Sequence, residues 1–379
     1  MTKNRRIAVI GAGIAGLGPA WQLARRGWDV EVFEAGTLGA GATSKAGGML
    51  APTAEATYEE EELLALELES LHAYPRWIDE LQSAADVDVD YRTEGTLIVA
   101  IDRDDAEALD RLHDYHQRLG LTAERLDRSQ ALELEPGLSP RIHRALRVTS
   151  DVQVDPAAML NALAVAVTRQ GGTIHEECPV EALDIDDALR GLILKDGRRL
   201  PFDHVLLATG AWTPQIGGIP EGVLPHVRPV RGQMLCLGLG DPPLLRHVLR
   251  APDAYLIPKS DGRLLVGATM EERGFDPHPT AGGFMDLLVG AWEALPGVYD
   301  APVLDTWVGF RPITLSNHPT LGPTDIEGLY LSVGHGRNGI LLAPTTAYEL
   351  ASWIDSGEPP EILRSFAPRS PSSPPPPAR

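Results

Sequence analysis

At 379 residues the chain is long enough for about two domains, and 43% hydrophobic with 23% charged residues is the balance of an ordinary folded protein. The formal net charge of −20 argues against nucleic acid and anionic membrane as partners, although a few buried arginines can still dominate a local pocket for an anionic substrate. Cys178 and Cys236 lie far apart and form no CxxC, which excludes a disulfide framework and a cysteine zinc site and fits a cytoplasmic location.

In chain order, Ile7-Ala8-Val9-Ile10 reads as a buried parallel strand. Gly11-Ala12-Gly13-Ile14-Ala15-Gly16 follows without a gap, Leu17 to Arg26 has a helical pattern stopped by Gly27, and a second strand, Val30 to Phe33, ends at Glu34. This is a strand-turn-helix-strand unit for a dinucleotide. Gly11 permits the tight turn, Gly13 lets the backbone approach a pyrophosphate, and Gly16 lets helix and strand pack closely. The helix N-terminus faces the phosphates, and Glu34 is placed to accept from an adenosine ribose. The unit alone does not choose between NAD and FAD. Arg5-Arg6 before an apolar stretch imitates a secretion signal, but Gly11, Gly13, Gly16 and Pro19 break that stretch. No apolar run reaches the ~20 residues of a membrane helix.

The small-residue segment from Ala35 to Ala51 can lie flat against an anionic or planar ligand. Glu59 to Gln82 has helical spacing and many acids, as a solvated amphipathic helix would. Asp86, Asp88 and Asp90 alternate with Val87 and Val89 as on the wet face of a strand. Gly95 to Ile101 reads as a strand and Asp104 to Leu119 as a helix, on which His113 and His116 are read as surface histidines rather than metal ligands. No metal site is expected. Asp155 caps a helix that opens at Pro156 and ends at Gly171-Gly172, Thr173-Ile174 opens a strand, and Ile193 to Leu200 turns at Asp196-Gly197. His204 to Trp212 reads as a buried strand ending in small residues. From Val227 the texture is strands: Gly232 to Leu237, Ala254 to Pro258, Arg263 to Thr269 and Leu304 to Arg311. Gly328 to Val333 is a last buried strand, and Gly334-His335-Gly336-Arg337-Asn338-Gly339 opens a helix from Ile340 to Ile354. From Ala367 the chain is a Pro/Ser-rich tail expected to be disordered.

The opening, Ser44-Lys45-Ala46-Gly47-Gly48-Met49-Leu50-Ala51-Pro52 with Glu55, Leu207-Ala208-Thr209-Gly210-Ala211-Trp212, Val266-Gly267-Ala268-Thr269-Met270, Trp307-Val308-Gly309-Phe310-Arg311-Pro312 and Gly334 to Ile340 together resemble the FAD-dependent D-amino acid oxidase superfamily, most of all its glycine oxidase branch in thiamine biosynthesis. The likeness runs from Arg6 to about Phe366. It implies an α/β protein: a discontinuous Rossmann-like FAD-binding domain (1–85, 146–218 and 316–366) and an antiparallel-sheet substrate domain (86–145 and 219–315), with 367–379 as the tail. It also implies FAD, held non-covalently since neither cysteine lies in a matching flavin segment. Gly11, Gly13, Ile14, Ala15, Gly16, Glu34, Ala35, Ala42, Thr43, Gly47, Gly48, Met49, Val180, Gly210, His335, Gly336, Arg337, Asn338, Gly339, Ile340 and Leu341 fall at cofactor positions. Arg311 matches the partner of a substrate carboxylate, and Tyr255, Met270, Arg337 and Met49 are assigned to the substrate side.

The residues support part of this unaided. Guanidinium binds a carboxylate bidentately, and Arg311 ends an apolar strand, although a structural ion pair is the competing reading. Tyr255 reads equally as a core tyrosine, and Met49 and Met270 taken alone read as core packing. The resemblance implies oxidation of glycine, or of small amines and D-amino acids, to an oxo acid, ammonia and hydrogen peroxide, with the imine feeding thiazole synthesis. It also implies a homo-oligomer. A sarcosine or D-amino acid oxidase, a dehydrogenase passing electrons to a carrier other than oxygen, and a flavin-binding protein without turnover remain alternatives.

Overall fold

The computed structural model describes residues 5–186 and 188–368, so the expected tail lies outside the described residues from position 369 on. The opening unit forms as its pattern requires. Strand Arg6–Ile10 is buried along nearly its whole length and sits in the middle of a six-stranded sheet, flanked by Asp29–Phe33 and Val205–Leu207. Thr173–His175 and Leu329–Val333 extend the parallel array, and Thr320–Pro323 closes one edge antiparallel. The first helix runs Ile14–Arg25, three residues longer at its start than its apolar pattern. Pro19 inside it cannot donate to the carbonyl of Ala15. The buried Ser332 hydroxyl does so instead, at 2.8 Å, tying the helix to the neighbouring strand Leu329–Val333.

The strand-rich half builds an eight-stranded sheet in the order Val303–Thr314, Val227–Gly238, Arg263–Gly267, Tyr255–Pro258, Val248–Arg250, Thr96–Ala100, Arg144–Val148 and Glu124–Asp127. It is antiparallel except where Val248–Arg250 runs parallel to Thr96–Ala100. A three-stranded sheet (Val180–Ile185, Leu189–Leu194, Arg199–Pro201) covers one face of the parallel sheet through an apolar cluster that includes Val180, Leu192 and Leu331. Met49–Leu50 pairs with Val152–Gln153. Helix Pro156–Arg169 starts as expected, the Asp155 carboxylate accepting from Ala158 N at 2.9 Å.

Several local expectations fail for identifiable reasons. Asp86 to Asp90 is not a strand: Asp86 and Asp90 have φ of 56° and 51°, a left-handed conformation that aspartate tolerates, and Asp86 caps the preceding helix. That helix, Glu61–Ala85, is not simply solvated, because one face buries Leu63, Leu66, Glu67, Ser70, Tyr74 and Trp77. His113 and His116 are 8% and 0% exposed rather than on the surface; burial lowers both pKa values and keeps them neutral. Among the described residues, no three histidine, cysteine or carboxylate side chains gather where a metal could sit. Of His204 to Trp212 only Val205–Leu207 is strand, and Gly210–Gln215 is a 3₁₀ turn. The helix expected from Ile340 begins at Ala343–Thr345, where Pro344 fits the first turn, and continues through a π turn at Thr346–Leu350 into Ala351–Ser356. No helix among the described residues is long and apolar enough to cross a membrane.

Candidate active site

The parallel strands end together. Gly11, Glu34, Ala208 and His335 follow four adjacent strand ends, and open α/β sheets bind ligands at that edge. All four line one cavity of about 790 Å³ that continues beneath the large sheet to Met234, Tyr255, Gly267 and Arg311. Every residue assigned above to cofactor or substrate lines this cavity except Gly16. A Cβ at Gly16 would overlap the Gly11 carbonyl, so its role is close packing of helix on strand.

The cradle at the strand ends suits a dinucleotide. Helix Ile14–Arg25 has no side-chain cap at Gly13, and Ile14 and Ala15 of its first turn line the cavity; the Ile14 N–H goes to Thr43 Oγ1 at 3.1 Å, and the Gly16 and Leu17 N–H groups go to the Gly13 carbonyl at 3.0 and 2.9 Å. Gly11 takes φ +103° with the Ala208 carbonyl where a side chain would go, so no other residue fits there. The Glu34 carboxylate is held by the Ala12 and Gly36 N–H groups at 2.8 and 3.1 Å. His335, buried behind the segment 335–341, is pushed down to about 4 by desolvation and so stays neutral, with Nε2 3.3 Å from Thr346 Oγ1.

At the far end, Arg311 lies on the edge strand of the large sheet with its guanidinium flat over Gly232, where a Cβ would stand 2.8 Å from Cζ. Nη1 donates to the Thr269 carbonyl at 3.0 Å. No carboxylate among the described residues forms an ion pair with it, which removes the structural ion-pair reading; Tyr255 faces it instead. Burial raises the Tyr255 hydroxyl above its ordinary value, and the positive charge of Arg311 acts in the opposite direction. Arg337 differs: it lies within 3.8 Å of Glu55 and 3.7 Å of Glu60 and reaches Thr57 Oγ1 at 3.2 Å. Met270 is 65% exposed on the cavity wall, so the core-packing reading of it is wrong, whereas Met49 is half-buried and touches apolar clusters.

The sequence reading missed Arg250. It pairs with Glu55 at 2.7 Å across the cavity mouth, and its only signal was its position just before the turn that leads into Tyr255. It missed Asp151 as well. This fully buried carboxyl accepts from Ala54 N at 3.2 Å beneath the Ala51 to Glu55 turn, and desolvation pushes it up to about 8. An unfolded aspartate ionises near 3.8, so between there and about 8 the folded state keeps a proton that the unfolded chain has released. Stability therefore falls as pH rises through this window. Asp151→Asn should flatten that fall: from pH 5 to 8 its melting temperature should drop less than the parent's, and parallel curves would contradict the assignment.

Comparison with known proteins agrees with this geometry. Residues 6–353 match the family model described as FAD dependent oxidoreductase (DAO). Glycine oxidase of Geobacillus kaustophilus is 32% identical over 94% of this chain and 95% of its own. The crystal structure of glycine oxidase from that organism superposes with a TM-score of 0.89 at 31% identity, covering 96% of this chain and 98% of the other. The bifunctional protein ThiO/ThiG of Trichormus variabilis is 32% identical over 96% of this chain, which spans only 54% of that longer protein. A Rossmann-like sheet whose strand ends open into a cavity roofed by a second sheet defines the class: a flavoenzyme of the amine and amino-acid oxidase kind. The chain belongs to the DAO family of FAD-dependent oxidoreductases.

Proposed function

We propose that this protein oxidises glycine, and with it sarcosine and small D-amino acids, to the oxo acid and hydrogen peroxide, releasing ammonia from the primary amines and methylamine from sarcosine: glycine, O₂ and H₂O give glyoxylate, NH₃ and H₂O₂. The observation that carries the reading is Arg311, a guanidinium with no carboxylate partner among the described residues, which opens into the cavity shared with the dinucleotide cradle. The two halves form, in this reading, the discontinuous FAD-binding domain and the substrate domain.

FAD, when bound, supplies the acceptor for two electrons and passes them to oxygen. The chain does the rest. Gly11, Gly13 and the first turn of helix Ile14–Arg25 receive the pyrophosphate, and Glu34 receives the ribose. The segments 42–49 and 335–341 hold the ring. Cys178 is half-buried, Cys236 is buried, and neither lines the cavity, in keeping with non-covalent attachment. Arg311 receives the substrate carboxylate bidentately, and its bond to the Thr269 carbonyl fixes the plane of the fork. Tyr255 stays protonated and offers a hydroxyl donor beside that carboxylate. Met49 and Met270 limit the space, so bulky D-amino acids should turn over poorly. A supply of imine for thiazole synthesis, a cytoplasmic setting and a homo-oligomer belong to the same reading.

The test is anaerobic bleaching of the flavin absorbance by glycine, sarcosine, D-alanine, D-phenylalanine and L-alanine, followed by peroxide measurement in air. Bleaching by glycine with peroxide release is the expected result. Bleaching without oxygen uptake would make the protein a dehydrogenase, and faster turnover of D-phenylalanine would make it a general D-amino acid oxidase. No bleaching by any amine would leave a flavin-binding protein without turnover.

Glu34→Ala tests the cradle. A hydrogen bond to a charged acceptor contributes about 1.5–3 kcal/mol, so the FAD dissociation constant should rise roughly tenfold to a hundredfold. Unchanged retention of FAD would remove Glu34 from the ribose site.

A further inference from the structure

The helix Glu61–Ala85 carries a polar stripe on its buried face. Glu67, Ser70 and Tyr74 are 6%, 0% and 0% exposed, and their spacing of three and four residues puts them on one side of the helix. Each binds the chain between Asn338 and Thr345. Asn338 Nδ2 donates to Glu67 Oε1 at 2.5 Å, the Tyr74 hydroxyl donates to the Ile340 carbonyl, and Thr345 N donates to Ser70 Oγ at 3.4 Å. Asn338 and Ile340 line the cavity, and Asn338 is itself 7% exposed. The stretch from 335 to 342 contains no regular helix or strand, and its own backbone bonds are isolated turns, such as Asn338 N to the His335 carbonyl at 3.0 Å and Leu342 N to the Asn338 carbonyl at 2.8 Å. The stripe holds it from behind.

We propose that Glu67 is a positioning residue which fixes Asn338 and, with Tyr74, sets the shape of the segment that receives the flavin, while Ser70 anchors the helix that follows it. A leucine at 67 would fill the space equally well but would orphan the buried Asn338 amide. Desolvation pushes the Glu67 carboxyl up to about 8; the charge of Arg337 opposes the shift, and Glu55 and Glu60 reinforce it. Ionisation of Glu67 leaves a buried charge facing those two acids, which loosens the contact between helix and segment. The inference rests on the functional reading only in taking segment 335–341 as flavin-facing.

The experiment measures FAD binding to the apoprotein by quenching of flavin fluorescence from pH 6 to 9, with circular dichroism melts of each apoprotein alongside. In the parent, affinity should fall as pH rises through about 8. Glu67→Gln keeps the acceptor and loses the proton, so it should bind FAD within a few-fold of the parent at pH 7 with a flat profile. Glu67→Leu and Tyr74→Phe should each weaken binding about tenfold or more at pH 7, with the apoprotein melt little changed. A Glu67→Gln profile that follows the parent's would overturn the proposal, as would parental affinity in Glu67→Leu. Weakening that only mirrors a lower apoprotein melt would also overturn it, since that is a plain structural role. If Glu67→Leu aggregates, the Glu67→Gln profile and Tyr74→Phe decide. A parent that binds no FAD would overturn the functional reading as well; a parent that binds FAD beside indifferent variants would sink this inference alone.

Discussion

Replacing Arg311 with alanine should give a folded, yellow protein that has lost most of its hold on glycine. Glycine is so small that its carboxylate supplies nearly all of its directed binding, and Arg311 is the cavity guanidinium with no acid partner among the described residues. Removing one partner of a buried, hydrogen-bonded charge pair costs about 2–5 kcal/mol, so the apparent affinity should fall by roughly thirtyfold to several thousandfold. Arg311→Lys should recover part of this, because an ammonium is a point charge and cannot make the planar two-bond fork. Flavin reduction should slow as well, since the donor carbon must stay in line with the ring. An anaerobic glycine titration, with absorbance confirming FAD content, measures both effects. Near-parental affinity and rate would transfer the carboxylate to Arg337, which would then have to leave Glu55, Glu60 and Thr57. The fold should survive, because among the described residues the arginine's partners are the Thr269 carbonyl and the Tyr255 hydroxyl, neither of them a buried carboxylate.

Gly48→Ala should have the opposite signature: colourless, destabilised protein. Gly48 takes φ +84°, and a Cβ there would overlap the Val154 carbonyl oxygen and stand 2.8 Å from Pro156 Cδ. Backbone is on one side and the capped start of helix Pro156–Arg169 on the other, so neither neighbour can move aside cheaply. Strain at such a φ costs of order 1–3 kcal/mol and overpacking about as much again. Relief would come by displacing the loop that carries Met49 and Gly47 into the cavity. FAD content and melting temperature should therefore fall together. Gly282→Ala is the control, since nothing lies within 4 Å of a Cβ there and its φ is ordinary. If Gly48→Ala keeps its full complement of FAD and melts with the control, the loop has more room than the static geometry allows.

Local chemistry explains how much of this could be read from the chain. Gly11, Gly13 and Glu34 were legible because a βαβ unit requires glycine, helix start and acid at fixed spacings, and the spacings survive as sequence. Five strands of the large sheet were legible from their apolar runs, whereas Glu124–Asp127, Arg144–Val148 and Val248–Arg250 were not read as strands. Met270 was misread because exposure on a cavity wall depends on what the rest of the fold leaves open, and no local pattern records that. His113 and His116 were misread because a helix in an acidic stretch looks solvated until the Thr53 turn covers it. Glu67 was hidden for the same reason: among the many acids of Glu59 to Gln82 nothing marks the one that turns inward.

By itself the sequence determined the elements whose cause is short-ranged: the dinucleotide turn, the capped helix after Asp155 and the hairpin at Asp196-Gly197. Only the tertiary structure decided which charges meet. Arg311, Arg337 and Arg250 are alike as residues. Arg250 and Arg337 converge on Glu55 from 195 and 282 residues away in the chain, and Arg311 is left to Thr269 and Tyr255, because strands and loops distant in sequence close on one another. Coulomb and desolvation energies depend on distance and burial, not on order along the chain. The burial of Glu67 and Asp151, and with it their protonation near neutral pH, follows from that packing alone.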